Sequence, residues 1–188
     1  MPKIVDHEAR RRLIADALMR VAAEQGLEAV SLRHVATAAG VSAGMVQHYF
    51  RTKDEMMAFA IAVVSERGEA RVGAAVAALG DNPPPRLMLR TMIAALLPLD
   101  EPSRADGRVA LAFFAYATVR PEAAAALRPS TSQLVDFVAS LLPGPGAADG
   151  AASLLALMEG LGLYLLGGQF TPVQALAVLD AQLDHLFS

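Results

Sequence analysis

Residues 31–56 read SLRHVATAAGVSAGMVQHYFRTKDEM. Two short segments with helical apolar spacing, 32–39 and 43–49, each follow a serine. Ser31 and Ser42 can each accept a hydrogen bond from a first-turn backbone N–H and so start a helix. Between the segments stands Ala39-Gly40-Val41, whose glycine permits a sharp reversal. Val35, Ala36, Val41 and Val46 fall where they can seal the angle between the two helices. Upstream, Leu13, Ile14, Ala17, Leu18 and Val21 form a helical stripe that Gly26 is placed to end. Downstream, Thr52-Lys-Asp-Glu55 matches a capping box, so a fourth helix starts at Lys53 and its apolar pattern runs to about residue 79.

A short capped helix pair supported by a third is the geometry that projects one helix into a DNA major groove. Ala43 and Gly44, at the start of the second short helix, are small enough for close approach to DNA. Gln47 can pair bidentately with adenine and Arg33 with guanine, although each also suits a plain solvent-exposed position. Ser31 and Ser42 can be simple caps; a cap also leaves backbone N–H groups free for phosphate, so both roles can hold. Arg10, Arg11 and Arg12 form a basic run that suits either the DNA backbone or an ordinary solvated tail.

Gly26, Ser31-Leu32-Arg33, Val35-Ala36, Ala39-Gly40-Val41-Ser42, His48-Tyr49-Phe50 and Lys53-Asp54-Glu55 together resemble the TetR (tetracycline-repressor-type) family of regulators over roughly residues 8–60. The resemblance implies that Tyr49 and Lys53 contact phosphate and that His48 contacts phosphate or a base. Tyr49 can instead be a half-buried packing residue, with Phe50 the better core candidate. The resemblance further implies a homodimer on a palindromic operator in double-stranded DNA, repressing until a small molecule binds the body.

The rest of the chain reads as helix. Asn82-Pro-Pro-Pro85 and Pro143-Gly-Pro-Gly146 are strong breaks. Helices are expected over 86–97 and 108–119, with a loop over 98–106. Another begins at Pro121 and is kinked or interrupted at Pro129. The last two are expected over 151–166 and 172–187, the second opened by Thr171-Pro-Val-Gln174. The fold class is therefore all-α with about nine helices. A helix-turn-helix DNA-binding domain is expected over 1–53 and a helical dimerisation and ligand-sensing domain over 54–188.

Leucines recur at helical spacing on the last two helices. Leu176, Leu179, Leu183 and Leu186, with Leu161 and Leu165 before them, suit either a twofold four-helix seam or ordinary core. Met88, Met92, Phe113, Phe114, Tyr116, Phe137, Met158 and Tyr164 supply the adaptable and flat apolar side chains of a ligand pocket, and equally those of a core. Asp180 and Asp184, one turn apart, read as a solvated face.

The chain of 188 residues carries a net charge of −3, which alone argues against nucleic acid. Its distribution reverses that impression: residues 1–53 carry +3 and residues 54–188 carry −6. With no cysteine, disulfides and thiol chemistry are excluded. His7, His34, His48 and His185 have no metal-ligand spacing, and no catalytic set or phosphate loop is evident, so neither enzyme, metal nor cofactor is expected. The N-terminus lacks the apolar stretch of a signal peptide, and the apolar run at 151–168 contains Glu159 and is short for a membrane span, so a cytoplasmic protein is expected. Two functions fit: a ligand-responsive DNA-binding repressor, or a regulator of the same fold whose body only dimerises.

Overall fold

The structure, a computed structural model, describes residues 7–26 and 29–188. Among the described residues there are nine helices and no strand. They are α1 (His7–Gln25), α2 (Leu32–Ala39), α3 (Ala43–Tyr49), α4 (Lys53–Ala77), α5 (Pro85–Leu96), α6 (Glu101–Thr118), α7 (Pro121–Leu141), α8 (Ala147–Leu166) and α9 (Pro172–Leu186).

The chain divides into two compact units. The first comprises residues up to 67 together with 108–115; the second comprises 68–107 and 116–188. A boundary drawn at residue 53 falls inside the first unit. The physical reason is the first half of α4. Met56, Met57 and Ala60 are buried to within 1%, Phe59 lies 5.5 Å from the Phe50 ring, and Glu66 and Arg67 are bound to Arg12 and Asp16 of α1.

Within the first unit, Ile14, Ala17, Leu18, Val35, Val46 and Phe50 are fully enclosed. Leu13, included in the expected α1 stripe, is instead exposed, and Ala15 and Ala22 take the inward positions. The end of α2 is closed three times over. Gly40 adopts φ 66°, which a side chain would strain. Its N–H donates to the Thr37 carbonyl and that of Val41 to the Ala36 carbonyl, the 5→2 and 6→1 bonds of a Schellman ending. The Arg20 guanidinium on α1 reaches the next carbonyl, that of Ala38, at 2.8 Å. All three bonds fix the direction in which the chain leaves α2, and thus where α3 begins.

The second unit is built on Leu89, Ile93 and Leu97 of the α5 segment, Val138 of α7, Leu154, Leu161 and Leu165 of α8, and Ala175, Leu179 and Leu183 of α9. By length and composition alone α8 could cross a membrane, but Leu154, Leu161 and Leu165 lie in this core. Several bounds differ from expectation, among them the start of α8, at Ala147 rather than 151. The stretch expected to be a loop over 98–106 contains the start of α6. Asp100 accepts from the Ser103 N–H at 2.9 Å while Ser103 Oγ accepts from the Asp100 N–H at 3.1 Å, a reciprocal cap with Pro102 in the permissive first turn. Helix α7 runs unbroken through Pro129. Pro129 and Ala125, four residues before it, are both exposed, so the carbonyl that proline leaves unpaired lies where water reaches it.

Candidate nucleic-acid interface

Ser42 starts α3 by accepting from the Met45 N–H at 3.1 Å, and Ser31 starts α2 by accepting from the His34 N–H at 3.2 Å. These caps orient two short helices that would be marginal alone. Val46 is the single buried side chain of α3. It anchors the helix, and because 46 points inward, Ala43, Gly44, Gln47 and His48 are all exposed. Arg33 is likewise exposed on α2. Thr52 accepts from the Glu55 N–H, and the Glu55 carboxylate accepts from the Arg51 N–H at 2.9 Å; this local knot places Lys53 as the first residue of α4.

Tyr49 is half-buried and Phe50 fully buried. The packing of Tyr49 is by the His7 ring, 4.5 Å away, and the His48 ring, 5.2 Å away, the two imidazoles themselves 6.3 Å apart. The two readings of Tyr49 are therefore compatible: a ring packed at its sides can still offer a hydroxyl. Sequence reasoning misses His7 as a neighbour of this site. No local signal links it to α3, since 42 residues separate it from Tyr49.

The Arg10–Arg12 run resolves into three different environments. Arg12 binds Glu8 at 3.3 Å and Glu66 at 2.8 Å. The Arg11 guanidinium lies 5.0 Å from the Phe50 ring centre and 4.3 Å from that of Phe59, a cation–π arrangement in which its Nε is buried without a hydrogen bond. Arg10 is exposed.

In the second unit the leucine seam requires correction. Leu161, Leu165, Leu179 and Leu183 are at most 2% exposed and belong to the chain's own core, while Leu176 and Leu186 are half-buried against it. Helical spacing identifies the stripe, but it cannot tell an inner face from an outer one. The apolar side chains these two helices present outward are Leu163 (47% exposed), Tyr164 (47%), Val173 (78%) and Val178 (37%). Ala152, Ala156 and Glu159 continue the exposed stripe of α8. Burial raises the Glu159 carboxyl above its ordinary range although much of the residue is exposed.

The expected pocket residues are distributed over both units. Phe113 and Phe114 fall in the first, the former buried and the latter exposed. Met88, Met92, Tyr116 and Met158 are half-buried in the second, whereas Phe137 and Tyr164 are exposed there. Tyr116 is covered by the Arg120 guanidinium at 4.4 Å, and Tyr164 meets Phe170 edge-on at 5.1 Å. Asp184 is exposed as expected and Asp180 half-buried, but both are paired to arginines of α5. Arg90 of α5 grips both oxygens of Asp180 at 2.6 and 3.0 Å, and Arg86 donates to Asp184 through Nε at 3.0 Å. The Arg90 hydrogen bonds hold Asp180 below the usual carboxylate range against a smaller opposing effect of burial. Among the described residues no cluster of His, Cys, Asp or Glu can hold a metal.

Residues 14–59 match the family model described as bacterial regulatory proteins, tetR family, and residues 85–188 match that of the BetI-type transcriptional repressor, C-terminal. The regulator BetI of Burkholderia thailandensis is 31% identical over 100% of this chain and 98% of its own length. PksA, a regulator of Bacillus subtilis, is 40% identical over 62% of this chain, an alignment that takes in only 56% of PksA. A solved transcriptional regulator from Rhodococcus sp. Rha1 superposes with a TM-score of 0.84 at 35% identity, covering 94% of this chain and 95% of that one. A capped helix pair with its outer face open, α1 and the front of α4 packed behind it, and these two matches spanning most of the sequence lead to one conclusion. The chain belongs to the tetR family of bacterial regulatory proteins, with a C-terminal region of the BetI repressor type, and is a DNA-binding transcriptional regulator rather than an enzyme.

Proposed function

We propose that the protein is a homodimeric repressor that reads a palindromic operator with one head in each of two major grooves. The observation that carries the reading is α3 itself: one buried anchor, Val46, with Ala43, Gly44, Gln47 and His48 facing outward. Gln47 and Arg33 read bases; Ser42, His48, Tyr49 and Lys53 grip the backbone. The second copy docks through the outward apolar stripe of α8 and α9, which exposes Leu163, Tyr164, Val173 and Val178 together with the small Ala152 and Ala156. Two such helix pairs make a four-helix seam of isologous contacts. Selecting bound duplexes from random DNA tests the reading. Enrichment of an inverted repeat supports it, and binding without any enriched sequence overturns it.

Release by a small apolar ligand is the accompanying proposal. Half-buried Met88, Met92 and Met158 in the second unit supply adaptable apolar side chains. A ligand acts only through preference for the DNA-incompetent state, and operator must then weaken ligand binding by the same factor. A regulator whose body only dimerises is the competing reading. A thermal-shift screen with apolar compounds, repeated with operator present, separates the two.

A further inference from the structure

We propose that His7 is a further DNA-binding residue: with His48 it clusters beside the Tyr49 ring to form a proton-dependent phosphate grip, so that affinity for DNA rises as the imidazoles become charged. The inference rests on the placement of His48 and Tyr49 at the DNA backbone and extends that surface to α1.

Three rings from two helices converge. His7 lies 4.5 Å from Tyr49 and 6.3 Å from His48, and His48 lies 5.2 Å from Tyr49. Both histidines are exposed. Both stay exposed despite meeting Tyr49, whereas the His34 Nδ1 is bound to the Ala29 carbonyl at 2.7 Å. One turn further along α1, Arg11 stacks on Phe50 and Phe59. The same face of α1 thus braces the Tyr49-Phe50 pair at two successive turns.

The charged and titratable groups on the elements that meet here carry both signs, with four Arg or Lys against three acids. Helix α1 brings Glu8, Arg10 and Arg11, and α3 brings His48 and Tyr49. The start of α4 and the turn before it bring Arg51, Lys53, Asp54 and Glu55. Of the acids, Glu8 is bound to Arg12 and Glu55 to the Arg51 N–H. A phosphate brought against this surface favours the charged form of any imidazole it touches. Binding therefore takes up protons in the pH range where histidine titrates. A charged imidazole beside the Tyr49 ring is also attracted to its π-face, which steadies a tyrosine whose hydroxyl meets phosphate.

The test measures binding of the full-length protein to a random-sequence duplex from pH 8 to pH 6, at several salt concentrations. The variants are His7→Gln, His7→Lys and His7→Phe, with thermal melts at each pH to confirm folding. In the parent protein affinity rises as pH falls, about tenfold for each imidazole whose pKa rises one unit on meeting phosphate. The salt slope steepens by about 0.9 for each further phosphate that a charged imidazole neutralises. His7→Gln loses its share of both effects. His7→Lys binds more tightly than the parent at pH 8, and acidification no longer tightens binding through residue 7. His7→Phe keeps the ring packing on Tyr49 but loses the share of the pH dependence that residue 7 supplies, a split that a purely structural role would not produce. If His7→Gln and His7→Phe retain the parent pH profile and salt slope, the proposal is overturned while DNA binding by α3 stands. A parent protein that binds no duplex overturns the DNA-binding surface itself.

Discussion

Replacing Leu163 by serine and Leu179 by alanine should have opposite consequences, although the two leucines lie on adjacent helices of one core. Leu163 is 47% exposed. Complete burial of a leucine contributes about 1.5–3 kcal/mol, so covering the exposed half in a dimer contributes about 1 kcal/mol. Twofold symmetry doubles that to about 2 kcal/mol, close to a 30-fold weaker dimer for Leu163→Ser. The folded protomer should change by no more than about 0.5 kcal/mol, the usual range for an exposed site. Leu179 is fully enclosed among Leu89, Leu154 and Leu183. Truncation there leaves a cavity and should cost about 3 kcal/mol, lowering Tm by about 6–12 °C for a chain of this size. Sedimentation velocity over a concentration series reads the first effect, and calorimetry on the same samples reads the second. The reasoning is refuted if Leu163→Ser sediments as the parent does at every concentration, or if Leu179→Ala yields monomers at an unchanged Tm.

Further outcomes follow from the head and from the charged residues of the second unit. Gln47→Ala should relax base preference at one operator position by about 1–3 kcal/mol, whereas Lys53→Ala should weaken all duplexes alike and lower the salt slope by about one per head; selection from random DNA and salt titrations distinguish them. Arg90 holds the Asp180 carboxyl below its ordinary range, so that pair stabilises the fold above the unfolded carboxylate range and is lost as pH falls through the depressed value. Asp180→Asn should therefore lower Tm at neutral pH and become indistinguishable from the parent in strong acid. Glu159 has the opposite sign. Its raised carboxyl destabilises the folded state where it is ionised, so Glu159→Gln should raise Tm slightly at pH 7 and leave it unchanged below the unfolded carboxylate range.

The head is legible because its signals are local. Ser31, Gly40, Ser42 and Thr52 act on backbone groups within five residues, and a cap or a left-handed glycine leaves its mark in the sequence itself. The start of α6 is easily misread for a related reason: Asp100, Pro102 and Ser103 are turn formers as well as helix starters, and only the reciprocal bonds between Asp100 and Ser103 decide between those uses. Contacts distant in sequence leave no such mark. The periodicity of Leu179 and Leu183 announces a buried stripe without saying which surface buries it. Asp180 and Asp184 look solvated until α5 brings Arg90 and Arg86 beside them, 90 or more residues away in sequence. His7 acquires meaning only when α1 folds against α3.

The paired arginines and aspartates of α5 and α9 bear on how such regulators can be recombined. Arg86 and Arg90 stand one turn apart on one helix, and Asp180 and Asp184 one turn apart on the other, so the two pairs mesh in a single register. A chimera that imports α9 from a relative lacking these carboxylates strands two guanidinium groups that are only about one-third exposed, and sliding the graft by one residue turns both acids away. Helix α9 therefore has to travel with α5, despite the three helices between them in the chain. Residues on its outer surface, such as Val173 and Val178, take no part in that key and can be exchanged independently of it.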